Sequence, residues 1–227
     1  MTTTVPAPSR AAQLAGSPLV RAGGWRVERL LTGPALAALA AESQACHGHA
    51  TESVVAEPHD DDPRRGHPDR RLESAPGGPV LRALYASPVL HGLLARLTGA
   101  AWEPSGLQAT YSYYRAPGHY LGLHRDVDVC DLAVIACVAD DGPGARVGLG
   151  DDGPTGGGAA SGVLHVYPGR AGEALAAIRA DRRGGLAVPV VPGEAVVLLG
   201  GVVPHEVWPV APGRRRVVAP LCFRPAR

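Results

Sequence analysis

The chain has 227 residues and a formal net charge of +1; lysine is absent, so all 22 of its cationic side chains are arginine. Without a global basic field, the composition excludes partners held by bulk charge, such as nucleic acid or an anionic membrane surface. No apolar run reaches the ~18 residues that span a bilayer, and no apolar segment follows a basic start, so the sequence reads as a cytoplasmic protein acting on a small molecule. Its oligomeric state is not legible. The four cysteines, Cys46, Cys130, Cys137 and Cys222, form no CxxC motif and are expected to be free thiols in a reducing compartment.

Residues 1–24 are small and Pro-containing and read as a flexible arm, with a short strand near Pro18 to Arg21. Residues 25–105 read as a helical support region. Trp25 to Leu31 alternates as a strand, Thr32 is placed to cap a helix, and Pro34 suits its first turn. That helix is expected to end near Gly48. Residues 51–78 form the most polar stretch, which is long for a loop and therefore expected to be disordered or functional. Pro79 to Leu97 carries apolar residues at helical spacing, broken at Ser87-Pro88, and predicts two helices with the second ending at Thr98-Gly99.

Residues 106–227 form the expected core of what reads as one domain. Runs such as DLAVIACVA, GVLHVYP, EAVVLLGG and RRVVAPLCF are short, β-branched and bounded by Gly, Pro and Asp. Residues 140–162 read as a Gly-rich loop and 171–182 as an inserted helix. Helices followed by many short strands predict a mainly β fold, an antiparallel sandwich or jelly roll with helices outside.

Within Tyr111 to Val138, His124 and Asp126 are two residues apart. On a strand they share one face and Arg125 takes the other. An imidazole and a carboxylate side by side are two thirds of a 2-His-1-carboxylate site, which binds one face of an octahedral metal and leaves the other open. His205, in GGVVPHEVWPV, is the candidate third ligand. A lone histidine there would read as a satisfied core residue; the HxD pair and a downstream arginine reverse that reading. Ten residues further on, strand parity sets Arg215 on one face and Arg214 and Arg216 on the other. Arg215 is expected to point inward and anchor a carboxylate in its planar fork. Cys46, His47 and His49 sit at a helix end without further ligands and are discounted as a metal site; His59 and His67 read as solvated.

These residues resemble a known pattern. HRD at 124–126, His205 and Arg215 look like the HxD…H…R/K set of the Fe(II)/2-oxoglutarate-dependent dioxygenases, particularly their prolyl-hydroxylase-like branch. SGVLHVYP (161–168), VPGEAVVLL (191–199) and HEVWPVAPGRR (205–215) resemble that branch's flanking motifs, and the likeness covers roughly residues 106–224. It implies a double-stranded β-helix with supporting N-terminal helices. It also implies Fe(II) on His124, Asp126 and His205, 2-oxoglutarate held by Arg215 and O2 as oxidant, with succinate and CO2 released. Where some relatives carry a tyrosine after HxD, this chain has Ala136 or Cys137. Tyr114 is therefore the candidate hydroxyl partner, ahead of Tyr111 and Tyr113. The retained carboxylate of Asp126 disfavours halogenation and favours hydroxylation, desaturation or cyclisation.

A small polar substrate, such as an amino acid or a natural-product intermediate, is expected. Candidate substrate contacts are Arg70, Arg71 and Arg115 for a carboxylate, Asp128 for an amine, and His165. Two other readings stand beside this one: a cupin-like metalloenzyme that does not use 2-oxoglutarate, and a non-catalytic jelly-roll binding module.

Overall fold

In the computed structural model, which describes residues 14–62, 65–142 and 161–226, antiparallel sheet dominates. The elements in chain order are α1 (Pro18–Arg21), β1 (Trp25–Arg29), α2 (Gly33–His47), β2 (Thr51–Val55), β3 (His59–Asp62), β4 (Arg65–His67) and β5 (Arg70–Pro76). Then come α3 (Pro79–Tyr85), α4 (Pro88–Thr98), β6 (Trp102–Pro104), β7 (Thr110–Tyr114), β8 (Tyr120–His124) and β9 (Leu132–Asp140). The last group is β10 (Leu164–Val166), α5 (Leu175–Ala180), β11 (Leu186–Val188), β12 (Glu194–Leu198), β13 (His205–Val207) and β14 (Arg216–Pro225). No helix among the described residues is long and apolar enough to cross a membrane.

One 12-stranded sheet runs β1-β12-β9-β14-β7-β5-β8-β13-β10-β11, with β2 added on β5 and β6 on β14. It curls into the expected jelly roll. The fold closes at β5, whose C-terminal half pairs with β7 and whose N-terminal residues Arg70 and Arg71 pair with β8. The outer face of β7, β9 and β14 packs on α2, α3 and α4 through Leu39, Leu81, Leu90 and Leu94 against Tyr111, Tyr113, Val134, Leu221 and Phe223. The inner face holds a separate cluster of Leu72, Tyr114, Val210 and Val218, joined by Leu121, Ile135 and Val207. On the far side α5 covers Leu123 and Tyr167 with Leu175 and Ile178.

Four local expectations change. Pro18–Arg21 is a helical turn, because Ser17 caps it by accepting from the Val20 N–H and Pro18 is pre-set for the first position. The polar stretch 51–78 is not a loop but carries β2 to β5. Its strands read as polar because β2 pairs only with β5 among the described residues, and the buried side chains Leu72 and Ala75 lie on β5. The inserted helix is short, Leu175–Ala180, after a 3-10 turn at Pro168–Arg170. Cys130 and Cys222 are joined in a disulfide; only Cys46 and Cys137 are free. Residues 1–13 of the expected arm and 143–160 of the expected Gly-rich loop lie outside the described residues.

One carboxylate fastens the helices to the sheet. Glu42 on α2 accepts from Val80 N (2.7 Å) and Leu81 N (2.9 Å) at the start of α3, and from the Tyr111 hydroxyl (2.8 Å) on β7. Gly78 makes this possible, since a Cβ there would fall 2.4 Å from Glu42 Oε2. Burial raises the Glu42 pKa, but the Leu81 and Val80 amides and the Tyr111 hydroxyl together outweigh it, and the net shift is downward. A depressed carboxylate adds stability above its unfolded pKa, here 4.5, and loses it as pH falls through the folded value. Glu42→Gln, which turns one acceptor into a donor facing an N–H, is expected to cost about 1–3 kcal/mol at pH 7. The difference from wild type is expected to shrink towards pH 3, as checked by urea denaturation at both pH values.

Candidate metal centre

The register of β8 and β13 builds the centre. His205 lies opposite His124, while Val207 lies opposite Leu121, so two residues of β13 span three of β8. This bulge at Gly122–Leu123 breaks the alternation, letting both Leu121 and His124 face the interior while Leu123 turns out to pack on α5. Gly122 also sits under Asp69: its N–H donates to the Asp69 carbonyl at 2.7 Å, and a Cβ would meet the Asp69 carboxylate at 2.0 Å.

The strand ends at His124, so strand pleating does not place Asp126. Its backbone N–H donates to Gly200 O at 2.9 Å, which turns the carboxylate towards the histidines. Asp126 Oδ1 is then 3.6 Å from His124 Nε2 and 3.7 Å from His205 Nε2. One potential ligand atom from each of the three residues lies within 4.8 Å of the others. The two rings face each other at 4.2 Å between centroids.

Each ring is fixed from behind by a carbonyl two residues earlier: His124 Nδ1 bonds Gly122 O at 2.8 Å and His205 Nδ1 bonds Val203 O at 3.0 Å. A carbonyl only accepts, so both Nδ1 atoms carry the proton and both Nε2 lone pairs face Asp126. Burial first, and then the neighbouring His124, push the His205 pKa down to about 4, which keeps it neutral and available as a ligand. Two neutral imidazoles and one carboxylate suit a divalent first-row metal bound on one face. Asp126 is the most exposed of the three, at 18% against 9% and 4%, so the open side lies there.

Gly200 leaves the room in which the Asp126 carboxylate sits. A Cβ at that position would stand 1.8 Å from Asp126 Oδ2. The sequence offers no direct signal for it beyond a Gly-Gly pair ahead of His205.

The arginine expectation is corrected. Arg215 is exposed, and its N–H donates to the Asp141 carboxylate; Arg214 and Arg216 are the buried members. The alternation holds with the two faces exchanged: Arg216 registers against Tyr114, which belongs to the interior cluster. Arg214 is saturated by Asp140 at 2.7 and 3.1 Å and by Ser161 O. Arg216 is 3% exposed and donates from Nη1 to Gly162 O at 2.8 Å, yet its buried Nε finds no partner among the described residues. No ion pair involving it occurs among the described residues. A buried guanidinium without an anion is costly, so this side chain fits an anionic ligand in the interior.

Tyr114, opposite Arg216, faces that interior, while the Tyr111 and Tyr113 hydroxyls turn the other way to Glu42 and Ser43 O on α2. Burial raises the Tyr114 pKa, opposed by the Arg216 charge, so its hydroxyl stays protonated and can donate.

The remaining candidates separate by face. Arg70 registers with Leu121 and lies on the interior side, half-buried, with its Nε on Ser53 Oγ at 2.8 Å. Arg71 points outward to Glu52 at 2.9 Å, and Arg115 reaches His47 on α2 at 2.8 Å. Asp128 is exposed in the loop beyond β8. His165 registers with Glu206, not with His205, so it lies on the outer face, where it stacks on Trp208 at 3.6 Å. Burial lowers its pKa to about 4. Beside it, the buried Glu206 carboxylate accepts from Tyr167 at 2.5 Å, Arg182 at 2.9 and 3.2 Å, and Trp208 Nε1 at 3.1 Å, bracing β13 from behind. Arg125, as parity predicts, faces away from the centre and ties down the carbonyls of Val202, Ala171 and Glu173.

No protein-family model matches the chain, and no curated protein matches it in sequence. Solved structures do resemble it. A prolyl-4-hydroxylase from Pseudomonas putida superposes with a TM-score of 0.56 at 18% identity, covering 95% of this chain and 100% of that one. The epimerase SnoN from nogalamycin biosynthesis, solved with Fe3+ and alpha ketoglutarate, gives 0.64 at 14% identity over 96% and 85%. A 2OG-Fe(II) oxygenase-family oxidoreductase from Burkholderia pseudomallei gives 0.56 at 13% identity over 97% and 92%. The chain therefore has the fold of the 2-oxoglutarate/Fe(II) oxygenases, the double-stranded β-helix.

Gly200→Ala is expected to lower divalent-metal affinity at least about tenfold while leaving the circular dichroism spectrum unchanged, because the added methyl displaces the Asp126 carboxylate. Isothermal titration of the metal-free protein with Mn(II) measures this; unaltered affinity would contradict the placement of Asp126.

Proposed function

We propose that the protein is an Fe(II)- and 2-oxoglutarate-dependent oxygenase that hydroxylates a small polar substrate. The observation that carries this reading is Arg216, a buried guanidinium that no carboxylate among the described residues pairs, on the interior face that also holds the triad and Tyr114. A cupin-like enzyme or a non-catalytic binding module accounts for that cation only if it too takes an anionic ligand. His124, Asp126 and His205 would hold the iron. Arg216 and Tyr114 would hold the distal carboxylate of 2-oxoglutarate, with the guanidinium offering parallel N–H donors and the phenol a third. Iron and 2-oxoglutarate bound there supply O2 activation coupled to release of succinate and CO2.

The protein's own groups orient and protect. The two backbone carbonyls behind His124 and His205 hold each imidazole in the ligating tautomer. Leu72, Leu121, Ile135, Val207 and Val218 make the surroundings apolar, which strengthens the Arg216–carboxylate attraction and excludes water. Solved neighbours include a prolyl hydroxylase, an epimerase and a carbocyclase, so the scaffold by itself leaves the oxidative outcome open. Hydroxylation is the simplest of these outcomes and the one the retained Asp126 carboxylate favours over halide chemistry. A role in natural-product biosynthesis is in keeping with the epimerase and carbocyclase neighbours.

On the substrate side, Arg70 is the member of the three candidate arginines that the register sets on the interior face. It suits a substrate bearing a carboxylate, such as a free amino acid.

Three measurements test the reading. Under anaerobic conditions, adding Fe(II) and 2-oxoglutarate is expected to give a weak visible charge-transfer band; its absence in iron-loaded protein sinks the assignment. Arg216→Ala is expected to weaken 2-oxoglutarate binding at least about tenfold, the scale of losing a charge-assisted pair, with iron binding retained and Arg215→Ala without effect. Across a panel of amino acids, substrate-stimulated succinate release is expected for free α-carboxylates and not for their methyl esters. Arg70→Ala is expected to erase that difference, and equal turnover of acids and esters by wild type would remove Arg70 from the substrate site.

A further inference from the structure

The two oxygens of Asp126 have different surroundings. Oδ1 faces both imidazoles. Oδ2 faces the backbone of Gly200 and the sulfur of Cys130, which lies 3.6 Å away. That sulfur is bonded to Cys222 of β14, 92 residues further along. The alternation of β14, with Leu221 and Phe223 on the helix-facing side, sets Cys222 on the interior face shared by Val218 and Arg216. Residues 125–131, which carry Asp126, are also held by Asp126 N to Gly200 O, by Gly201 N to Asp131 O, by an internal turn from Cys130 N to Val127 O, and by the Arg125 side chain on the carbonyls of Val202, Ala171 and Glu173. The disulfide adds a covalent cross-link from this segment, which the main chain joins to β8 and β9, to β14.

We propose that Cys130 is a positioning residue for Asp126 whose effect depends on the state of the Cys130–Cys222 pair. In the disulfide the sulfur carries no proton and offers Oδ2 no donor, and the segment is tethered. Thiol–disulfide exchange with a small dithiol reductant breaks the S–S bond: two electrons and two protons pass to Cys130 and Cys222, and the reductant becomes a disulfide. The tether is then lost, and an S–H stands against Oδ2, drawing electron density from the carboxylate that completes the metal site. Reduction therefore weakens metal binding. This inference rests on the reading of His124, Asp126 and His205 as a metal centre.

The test uses the full-length metal-free protein and Mn(II), a hard ion that prefers oxygen and nitrogen ligands to the freed thiols. Samples oxidised with oxidised glutathione or reduced and then freed of reductant are checked for the disulfide by mass. They are titrated anaerobically by calorimetry and by electron paramagnetic resonance of unbound Mn(II). Reduction is expected to weaken Mn(II) binding about tenfold, the lower end of the effect of groups that support metal ligands. Cys222→Ala, which leaves the Cys130 thiol in place, is expected to bind like the reduced protein and to ignore reductant. The double variant Cys130→Ala/Cys222→Ala, lacking tether and donor alike, is expected to be equally unresponsive. Equal Mn(II) affinity in both redox states overturns the proposal even if the melting temperature falls, since that is the behaviour of a purely structural disulfide. Failure of the disulfide to form under oxidised glutathione also overturns it. Absence of Mn(II) binding in either state overturns the metal centre itself, an outcome distinct from equal binding.

Discussion

The antiparallel pairing of β8 with β13 is the constraint on which the rest depends. Two histidines more than eighty residues apart in sequence meet because His124 and His205 occupy opposite positions in one register, and a bulge in β8 lets both point inward. A one-residue slip would send His205 to the outer face and Glu206 to the inner one. The outer face is built against such a slip. Glu206 is buried there among Tyr167, Arg182 and Trp208, and it could not leave those donors without stranding a carboxylate in the interior. The polar network behind the strand therefore enforces the placement of the ligand in front of it.

A second constraint separates the two faces of β7. Tyr111 and Tyr113 commit their hydroxyls to α2, which fixes the next side chain, Tyr114, towards the interior. The same helix carries Glu42, whose carboxylate joins α2, α3 and β7. The N-terminal helices thus do more than cover a sheet: they determine which tyrosine of a YSYY run looks into the barrel.

Much of the centre is legible in the sequence because metal ligation demands particular side chains. His124, Asp126 and His205 stand out for that reason, and the fold follows from short β-branched runs punctuated by Gly and Pro. Arg216 is not legible, because β14 is buried on both faces and its hydrophobic pattern carries no information about which side faces in. The strands β2 and β5 are hidden for the opposite reason, since β2 has no buried side chain and β5 interleaves Leu72 and Ala75 with arginine, glutamate and serine, which gives the composition of a loop. The Cys130–Cys222 bond is hidden by its long separation in sequence, and His165 misleads because a histidine on a short strand carries no signal of which face it takes until its partner Glu206 is known.

Gly200 has an implication for how such a site changes over evolutionary time. Its missing side chain and the Asp126 carboxylate occupy the same few cubic ångströms, so the two positions cannot vary independently. While the carboxylate keeps its present position, any side chain at 200 must displace it. A descendant that exchanges Asp126 for a small residue would vacate that space and release position 200 from its restriction. The pair therefore acts as a ratchet: once a side chain has grown at 200, a returning carboxylate meets an occupied position and ligates poorly, so a lineage that abandons this ligand is biased against regaining it.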